Sequence, residues 1–451
     1  MQTYTLPSRD LPLDDSYDVI VVGGGPSGCT AAAASARDGA KTLLIESTGC
    51  LGGMGTSALV PAWCPFSDKE RIIYAGLAEK VFTTLKSQMP HVPQDQLDWV
   101  AIDAELLKVV YDDLVTGFGA KILFNTLVTG VETDGNGGVS ILIAANKAGM
   151  RAYQAKVFVD CSGDADIATW AGAEFHRGDD TPDGNLMPAT HCFTLCNVDE
   201  YSYLHGPNLY QGNPQSPIWN VLESGKYPLI LDAHVCTNIV APRAVGFNAG
   251  HLWHVDNSLP ETVSDALIRG RKMAQQFRDA LAEFHPKAFA ASYVAQTGSL
   301  MGIRESRRIV GDYTLTFEDY VARRTFDDEI CRNSYFIDVH PGANKAFRDI
   351  GGMKEWEQTN VRYGPGESHG IPYGCLTPAG LTNVIVAGRS ISCEQVVQGS
   401  IRVMPVCLAM GEAAGAAAAQ ALALATDKVD MHKVDVHRLR KRLKESGSYL
   451  P

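Results

Sequence analysis

The sequence has no CxxC pair: its eleven cysteines are scattered singly, and the closest two are Cys192 and Cys196. That pattern argues against a zinc ribbon, a cysteine-ligated iron–sulfur cluster or a dithiol redox centre. Free thiols in a reducing, cytoplasmic setting are the expectation. Net positive charge is also missing. The formal charge is −12 at pH 7, so the average surface repels nucleic acid, and none is expected as a partner. No apolar run is read as reaching the roughly 20 residues of a membrane span, so no membrane partner is expected. The start, MQTYTLPSRDLPLDDSYD, lacks the basic and apolar segments of a secretory signal and reads as a short polar arm. HExxH and His-x-His are absent and the carboxylates are not clustered, so no metal is expected. No repeat or low-complexity linker interrupts the chain. The one basic cluster, HRLRKRLKES at 437–446, carries Leu439 and Leu443 four apart. It reads as an amphipathic helix with a solvated basic face.

Against these absences, the N-terminal third is rich in signals. Tyr17–Val22 is an apolar, β-branched run of the buried parallel-strand kind. Gly23-Gly24-Gly25-Pro26-Ser27-Gly28 follows, then an alanine-rich helix ending near Gly39, then the strand Lys41–Glu46. Gly23-x-Gly25-x-x-Gly28 alone is a weak motif; between a strand and a helix, with an acid eighteen residues on, it specifies a dinucleotide site. Gly23 permits the tight turn, Gly25 lets backbone approach a pyrophosphate, and Gly28 lets helix pack on strand. The helix N-terminus, with Pro26 and Ser27, offers unpaired N–H groups to phosphate. Glu46, beside Ser47, suits the two hydroxyls of an unphosphorylated adenosine ribose.

Three later features select FAD over NAD. Leu51–Thr56 is a second glycine loop, containing Gly52, Gly53, Met54 and Thr56. Val157–Asp164 is a strand ending in the turn Ser162-Gly163-Asp164, and Leu381–Gly388 is a further strand followed by Arg389. A helix beginning near Ser400–Val403, with Arg402 at its start, would aim its positive end at the flavin. Val128 completes the expected cofactor-binding set. Between the first and last parts, KILFNTLVTGVE, GVSILIAAN and AYQAKVFVDCSG read as a three-stranded antiparallel meander over about 121–160, with Asn136-Gly137 as a hairpin turn. The expected fold is α/β: a glutathione-reductase-type FAD-binding Rossmann domain with an inserted meander and a second, α+β substrate or cap domain. The expected division is 15–171 for the first part of the FAD domain, 172–372 for the cap and 373–451 for the returning part. The clearest cap helix spans roughly 261–284, although Gly270 lies inside it.

These stretches, with DCSGDADIA, MPATHCF, GIRESRRIVGDYTLT, DVHPG, GIPYGCL and VAGRSIS…GSIRVMPVCLAMGEAAGAAAA, cover almost the whole chain. They resemble the FAD-dependent oxidoreductase family near the fumarate reductase and succinate dehydrogenase flavoproteins, and the flavin-binding part of heterodisulfide reductase. The resemblance implies FAD firmly and the reaction poorly. Two departures matter. Arg389 stands where glutathione-reductase-type enzymes usually carry a ribityl-binding aspartate. Thr56 and Ser57 stand where succinate dehydrogenases carry a flavin-linked histidine, which implies non-covalent FAD. A second GxGxxG is missing, which argues against an NAD(P)H-fed disulfide reductase.

Hydride chemistry also needs a proton acceptor or donor beside the substrate. The candidates are His340, preceded by Asp338; His369, in a glycine-rich loop; Arg304 and Glu305, in the charged GIRESRR segment; and Arg402. His191, His251 and His254 are weaker candidates; His254 and Asp256 read as alternating on a strand. If GIRESRR is helical, Arg304 shares a face with Arg307 or Arg308; a salt-bridged structural turn explains the segment equally well. The leading expectation is hydride transfer between a small polar, sugar-like substrate and FAD. The alternatives are reduction of an activated double bond and a flavin-bearing electron-transfer subunit. Substrate, electron acceptor and a homo-oligomeric state stay open.

Overall fold

The fold was analysed in a computed structural model that describes residues 3–5, 7–179, 184–340, 362–425 and 428–451. Pro341 and Gly342 of the DVHPG motif lie outside the described residues.

Five parallel strands form the central sheet, in the order Val384–Val386, Val157–Asp160, Val19–Val22, Thr42–Ile45, Lys121–Leu123. The first four are buried at every position, as a sheet covered on both faces requires. This is the α/β, Rossmann-type FAD domain expected. The meander is present but shorter than the expected span. Leu127–Thr133, Val139–Asn146 and Gly149–Tyr153 form it, and Leu13–Asp14 adds a parallel edge strand. Lys121–Leu123 and Val157–Asp160 belong instead to the parallel sheet. The distinction is one of burial: Val157–Asp160 is buried on both faces, whereas Leu127–Thr133 alternates.

Two helices cover the sheet face behind the glycine loop, Pro26–Arg37 and Met404–Leu424. Their alanine and glycine content has a steric cause. A Cβ on Gly411 would stand 2.1 Å from the Ser27 carbonyl oxygen, and one on Gly415 the same distance from that of Ala31. The helices therefore meet backbone to backbone. Contrary to the expectation that no run approaches a membrane span, Met404–Leu424 is long and apolar enough to cross a bilayer by composition. In this fold 78% of its apolar window is buried inside the protein. Gly415→Val is expected to destabilise the fold by about 3 kcal/mol or more, because the obstacle is backbone that cannot swing aside; thermal unfolding of the variant measures it.

A second core covers a four-stranded antiparallel sheet, ordered Val235–Ala241, Ala244–Ala249, Phe193–Cys196, Tyr293–Thr297. Helix Pro260–Phe284 packs on it, matching the expected helix. Gly270 inside that helix is explained by His191: a Cβ there would lie 2.4 Å from His191 Nδ1. Leu315, Tyr320, Ile330 and Ile371 return to the core of the FAD domain. GIRESRR is not helical: Arg307–Ile309 is a strand paired with Phe175–Arg177. His254 is not on a strand either; it sits in a turn with φ +60°. The basic C-terminal segment is the helix Val436–Glu445, with Leu439 and Leu443 buried.

Candidate functional site

The Val19–Val22 strand delivers the first glycine loop to the C-terminal edge of the sheet. Gly23 has φ +92°, and a Cβ on it would stand 2.4 Å from the Cys161 carbonyl oxygen. Gly28 packs its helix so close that a Cβ would meet Gly23 O at 1.7 Å. Gly25 differs: a Cβ there meets nothing within 4 Å. The space in front of Gly25 is open, and helix Pro26–Arg37 starts there without a side-chain cap. Uncapped N–H groups beside open space are what a pyrophosphate needs. Glu46 ends the neighbouring strand. Its Oε2 accepts from Gly24 N at 2.6 Å and its Oε1 from Thr48 N at 2.7 Å; Ser47 Oγ donates to Oε1 at 3.2 Å.

The second glycine loop lies against the first. Gly52 N donates to Gly24 O at 2.7 Å, and a Cβ on Gly53 would stand 3.0 Å from Gly25 Cα. Thr56 Oγ1 closes the loop on Leu51 O at 2.6 Å, so Thr56 is buried loop structure. The Ser162–Asp164 turn is tied to its strand by Asp160, which accepts from Ser162 N and Oγ and from Ala168 N. Arg389, just past Gly388, pairs with Asp164 at 2.8 Å, and its guanidinium lies against Gly163, where a Cβ would stand 2.8 Å from Cζ. The carboxylate missing after Gly388 is thus supplied by the adjacent strand's turn. Arg389 Nε and Arg402 Nε are buried with no acceptor among the described residues. Both residues line one cavity together with Met54, Val403 and Met404. Two orphaned donors, an open glycine cradle and an acid at the strand tip fit an extended, acceptor-rich dinucleotide. Val128 is buried between meander and sheet. Ser400 belongs to the helix Gln395–Ile401 and donates to Tyr335 O at 2.6 Å in the core. The uncapped helix start at the cavity is Met404, not Ser400, because the chain breaks helix at Arg402–Val403.

The cavity encloses about 970 Å³. Deep in it the fold joins three histidines from separate segments. His251 Nε2 and His340 Nδ1 are 2.8 Å apart. His340 Nε2 lies 3.3 Å from Asp338 Oδ2, and His251 Nδ1 lies 3.2 Å from Asp232 Oδ1. His234 stacks on His251 with ring centroids 4.4 Å apart, and His234 Nδ1 is buried without a hydrogen-bond partner among the described residues. Asp232 is fixed by the backbone N–H groups of His234 and His251. Arg402 Nη2 donates to Asp338 O at 2.8 Å and to its Oδ2 at 2.9 Å. Arg304 donates to Pro188 O and Thr190 Oγ1, each at 2.7 Å. His234, Arg304, Asp338, His340 and Arg402 all line the cavity. Nitrogens of the three histidines lie within 4.8 Å of one another, although the His251–His340 separation is a hydrogen-bond distance.

Charge states follow from this packing. Burial, reinforced by Arg304, pushes His340 down to about 3. Burial likewise lowers His251 and takes His234 well below its ordinary value. Burial alone would raise Asp338, but His340, Arg402 and Arg304 outweigh it and hold the carboxyl well below the usual range. Burial and neighbouring Arg402 lower Arg304 to about 10. The cluster therefore consists of neutral imidazoles between ionised carboxylates.

The other candidates lie elsewhere. His369 is fully buried, its Nδ1 lies 2.8 Å from Tyr363 OH, which itself donates to Tyr320 O, and it is absent from the cavity lining. It is a core histidine, held by the pairing of Glu329–Asn333 with His369–Pro372. Glu305 is also buried; it pairs with Arg308 and accepts from Met187 N and Gln395 Nε2. Arg307 turns away to Asp166. Of the charged residues of GIRESRR, Arg304 alone is among those lining the cavity. His191 is wedged at Gly270 with its Nε2 2.7 Å from Gly298 O. Sequence reasoning did not single out Asp232 or His234. The available signal was a repeated Asp-x-His, at 232–234 and 338–340.

The sequence profile of the family described as FAD dependent oxidoreductase matches residues 18–443. Digeranylgeranylglycerophospholipid reductase of Methanocaldococcus jannaschii is 32% identical over 131 residues, covering 28% of this chain and 32% of that protein. Dihydrolipoyl dehydrogenase of Trypanosoma brucei brucei is 51% identical over 45 residues, 10% of this chain and 9% of that one. The chain thus spans about a third or less of the length of these curated relatives. Among solved structures, a geranylgeranyl bacteriochlorophyll reductase-like protein of Thermoplasma acidophilum aligns with TM-score 0.45 at 13% identity, over 97% of this chain and 85% of that one. A flavin-dependent brominase aligns with TM-score 0.47 at 12% identity, over 94% and 83%.

Proposed function

From the premise that the chain belongs to the FAD-dependent oxidoreductase family, we propose that it oxidises a hydroxylated substrate by hydride transfer, with Asp338, His340, His251 and Asp232 as the proton acceptor. In this reading FAD would be held by Gly23–Gly28, Glu46, the Gly52–Met54 turn, Arg389, Arg402 and the helix start at Met404. Bound there, FAD supplies a two-electron hydride acceptor.

The single observation that carries the reading is a row of two imidazoles between two carboxylates, Asp232, His251, His340 and Asp338, that opens on the cavity at its Asp338 end. The His251–His340 and His340–Asp338 hydrogen bonds hold one hydrogen each, which two neutral imidazoles supply. Asp232 approaches His251 Nδ1 at 3.2 Å as a charge contact. The ionised carboxylates leave the row negative, and its cavity end is the place for an incoming proton. When a substrate C–H leaves as hydride, the carbon's oxygen becomes a carbonyl and its O–H proton must go to a base. His340 and Asp338 can take that proton from the cavity side. His251 and Asp232 hold the His340 ring in position. Arg402, fixed on Asp338, keeps that carboxylate ionised. His234 Nδ1 is free to bond a substrate hydroxyl.

The test is anaerobic mixing of purified protein with polyols, sugars and hydroxy acids, followed by flavin absorbance. Bleaching by a hydroxylated compound is the expected result. A second reading, reduction of an activated double bond, is favoured by Arg304, whose lowered value of about 10 suits a proton donor. Under it no alcohol bleaches the flavin, and chemically reduced protein is reoxidised by an unsaturated acid.

A further inference from the structure

The cavity's two ends differ in chemistry. Its depth holds the buried His234, Arg304 and His340. Its mouth holds large apolar side chains left in solvent: Trp99, Leu204 and Tyr210 are 47%, 61% and 60% exposed, yet all three line the cavity. Single exposed apolar residues are ordinary; a group of them rimming a pocket marks a binding surface.

The Trp99 backbone and the Tyr210 ring are held in place, although neither residue belongs to a core among the described residues. Trp99 has φ +56°, a conformation that bulky residues rarely adopt. It is pinned through its carbonyl oxygen, which accepts from Gln96 Nε2 at 3.2 Å and Asn238 Nδ2 at 2.8 Å. Asn238 lies on the strand Val235–Ala241, immediately after His234. The tryptophan is thus tied to the same strand that leads away from the polar cluster. On the 204–211 segment, the Tyr210 ring lies against Gly212, where a Cβ would stand 2.4 Å from its Cε1. Tyr210 N donates to Asn208 Oδ1 at 2.7 Å, and Tyr210 O accepts from Asn213 N at 2.9 Å. Gly212 leaves room for the ring. The cavity's 970 Å³ sits at the top of the range of about 300–1,000 Å³ for ligand sites. That is generous for a flavin ring and a monosaccharide-sized partner.

We infer that the substrate is amphiphilic: a hydroxylated end that reaches Asp338 and His340, and an aromatic substituent that lies across Trp99, Leu204 and Tyr210 at the mouth. The inference rests on the proposed oxidation for its polar end, while the mouth geometry stands on its own. Aromatic faces and a leucine select a flat apolar group by area and by ring–ring contact. Water released from the exposed rings contributes affinity to the substituted compound and nothing to the bare one.

The test uses the FAD-loaded full chain and a series of probes: glucose, phenyl β-glucoside and 2-naphthyl β-glucoside. Binding is read from perturbation of the oxidised flavin spectrum, turnover from anaerobic bleaching. Affinity is expected to rise about tenfold or more from the bare sugar to the naphthyl compound. In the W99A/Y210A double variant that ratio should fall to about threefold or less, and W99F should restore most of it. An unchanged ratio in the double variant, or no rise along the series in the native protein, overturns the inference. Tightening along the series without bleaching by any member supports the mouth and removes the oxidation reading instead. Should W99A/Y210A fail to fold, the single variants W99A and Y210S decide by the same ratio.

Discussion

Gly25→Val is expected to give a folded, colourless protein. Most substitutions in a glycine loop confound loss of cofactor with loss of fold. Gly23→Val and Gly28→Val would do so here, since a Cβ at either runs into backbone at 2.4 or 1.7 Å. Gly25 is separable. Its φ of −72° is open to any residue, and nothing lies within 4 Å of its Cβ position. Among the described residues nothing obstructs the first atom of a side chain there. The space it fills is the space in front of the uncapped helix start, where the pyrophosphate must approach the N–H groups. FAD content should drop by about tenfold or more, since the lost contacts are to a charged group, while far-UV dichroism stays native. A yellow Gly25→Val protein with native FAD content would mean that the pyrophosphate lies elsewhere.

The second large effect separates two histidines that looked alike in the sequence. His340→Ala should slow flavin bleaching by about 10²–10⁴-fold, the usual contribution of a positioned base, with FAD content retained. His369→Gln should leave bleaching within about threefold, because it removes only a core hydrogen bond to Tyr363. Its cost should appear as lowered thermal stability. Rapid-mixing absorbance and a melting curve on both variants decide the matter. Equal rate losses in the two would dissolve the distinction drawn from the cavity lining.

Why the sequence separated them poorly is instructive. His340 and His369 both sit in glycine- or proline-rich stretches with an acid nearby. Only the pairing of Glu329–Asn333 with His369–Pro372, a long-range event, buries the second one. The FAD half was legible because its parts are local. Strand, glycine loop, helix and acid follow one another within 30 residues, and each carries a period or turn signal of its own. The helix Met404–Leu424 was legible in kind, but its glycines were explained only by contact with Pro26–Arg37. The polar cluster was the least visible part. Asp232, His234, His251 and His340 come from three separate chain segments, and no spacing rule links them. The departure at Arg389 was visible, while its resolution, the ion pair with Asp164, required the turn of a neighbouring strand. GIRESRR shows the opposite error: charges adjacent in sequence were read as one group, and a short strand splays them between cavity, core and surface.

The central claim is that the Gly25 cradle and the cavity beside Arg389 and Arg402 together hold one FAD without a covalent link. Denaturing the purified protein with heat or acid and analysing the supernatant tests it most directly. The expected result is a yellow protein that releases about one intact FAD per chain, with no flavin left on the precipitate. A protein that is colourless and stays so after incubation with FAD, or flavin that remains attached to the denatured chain, would contradict it.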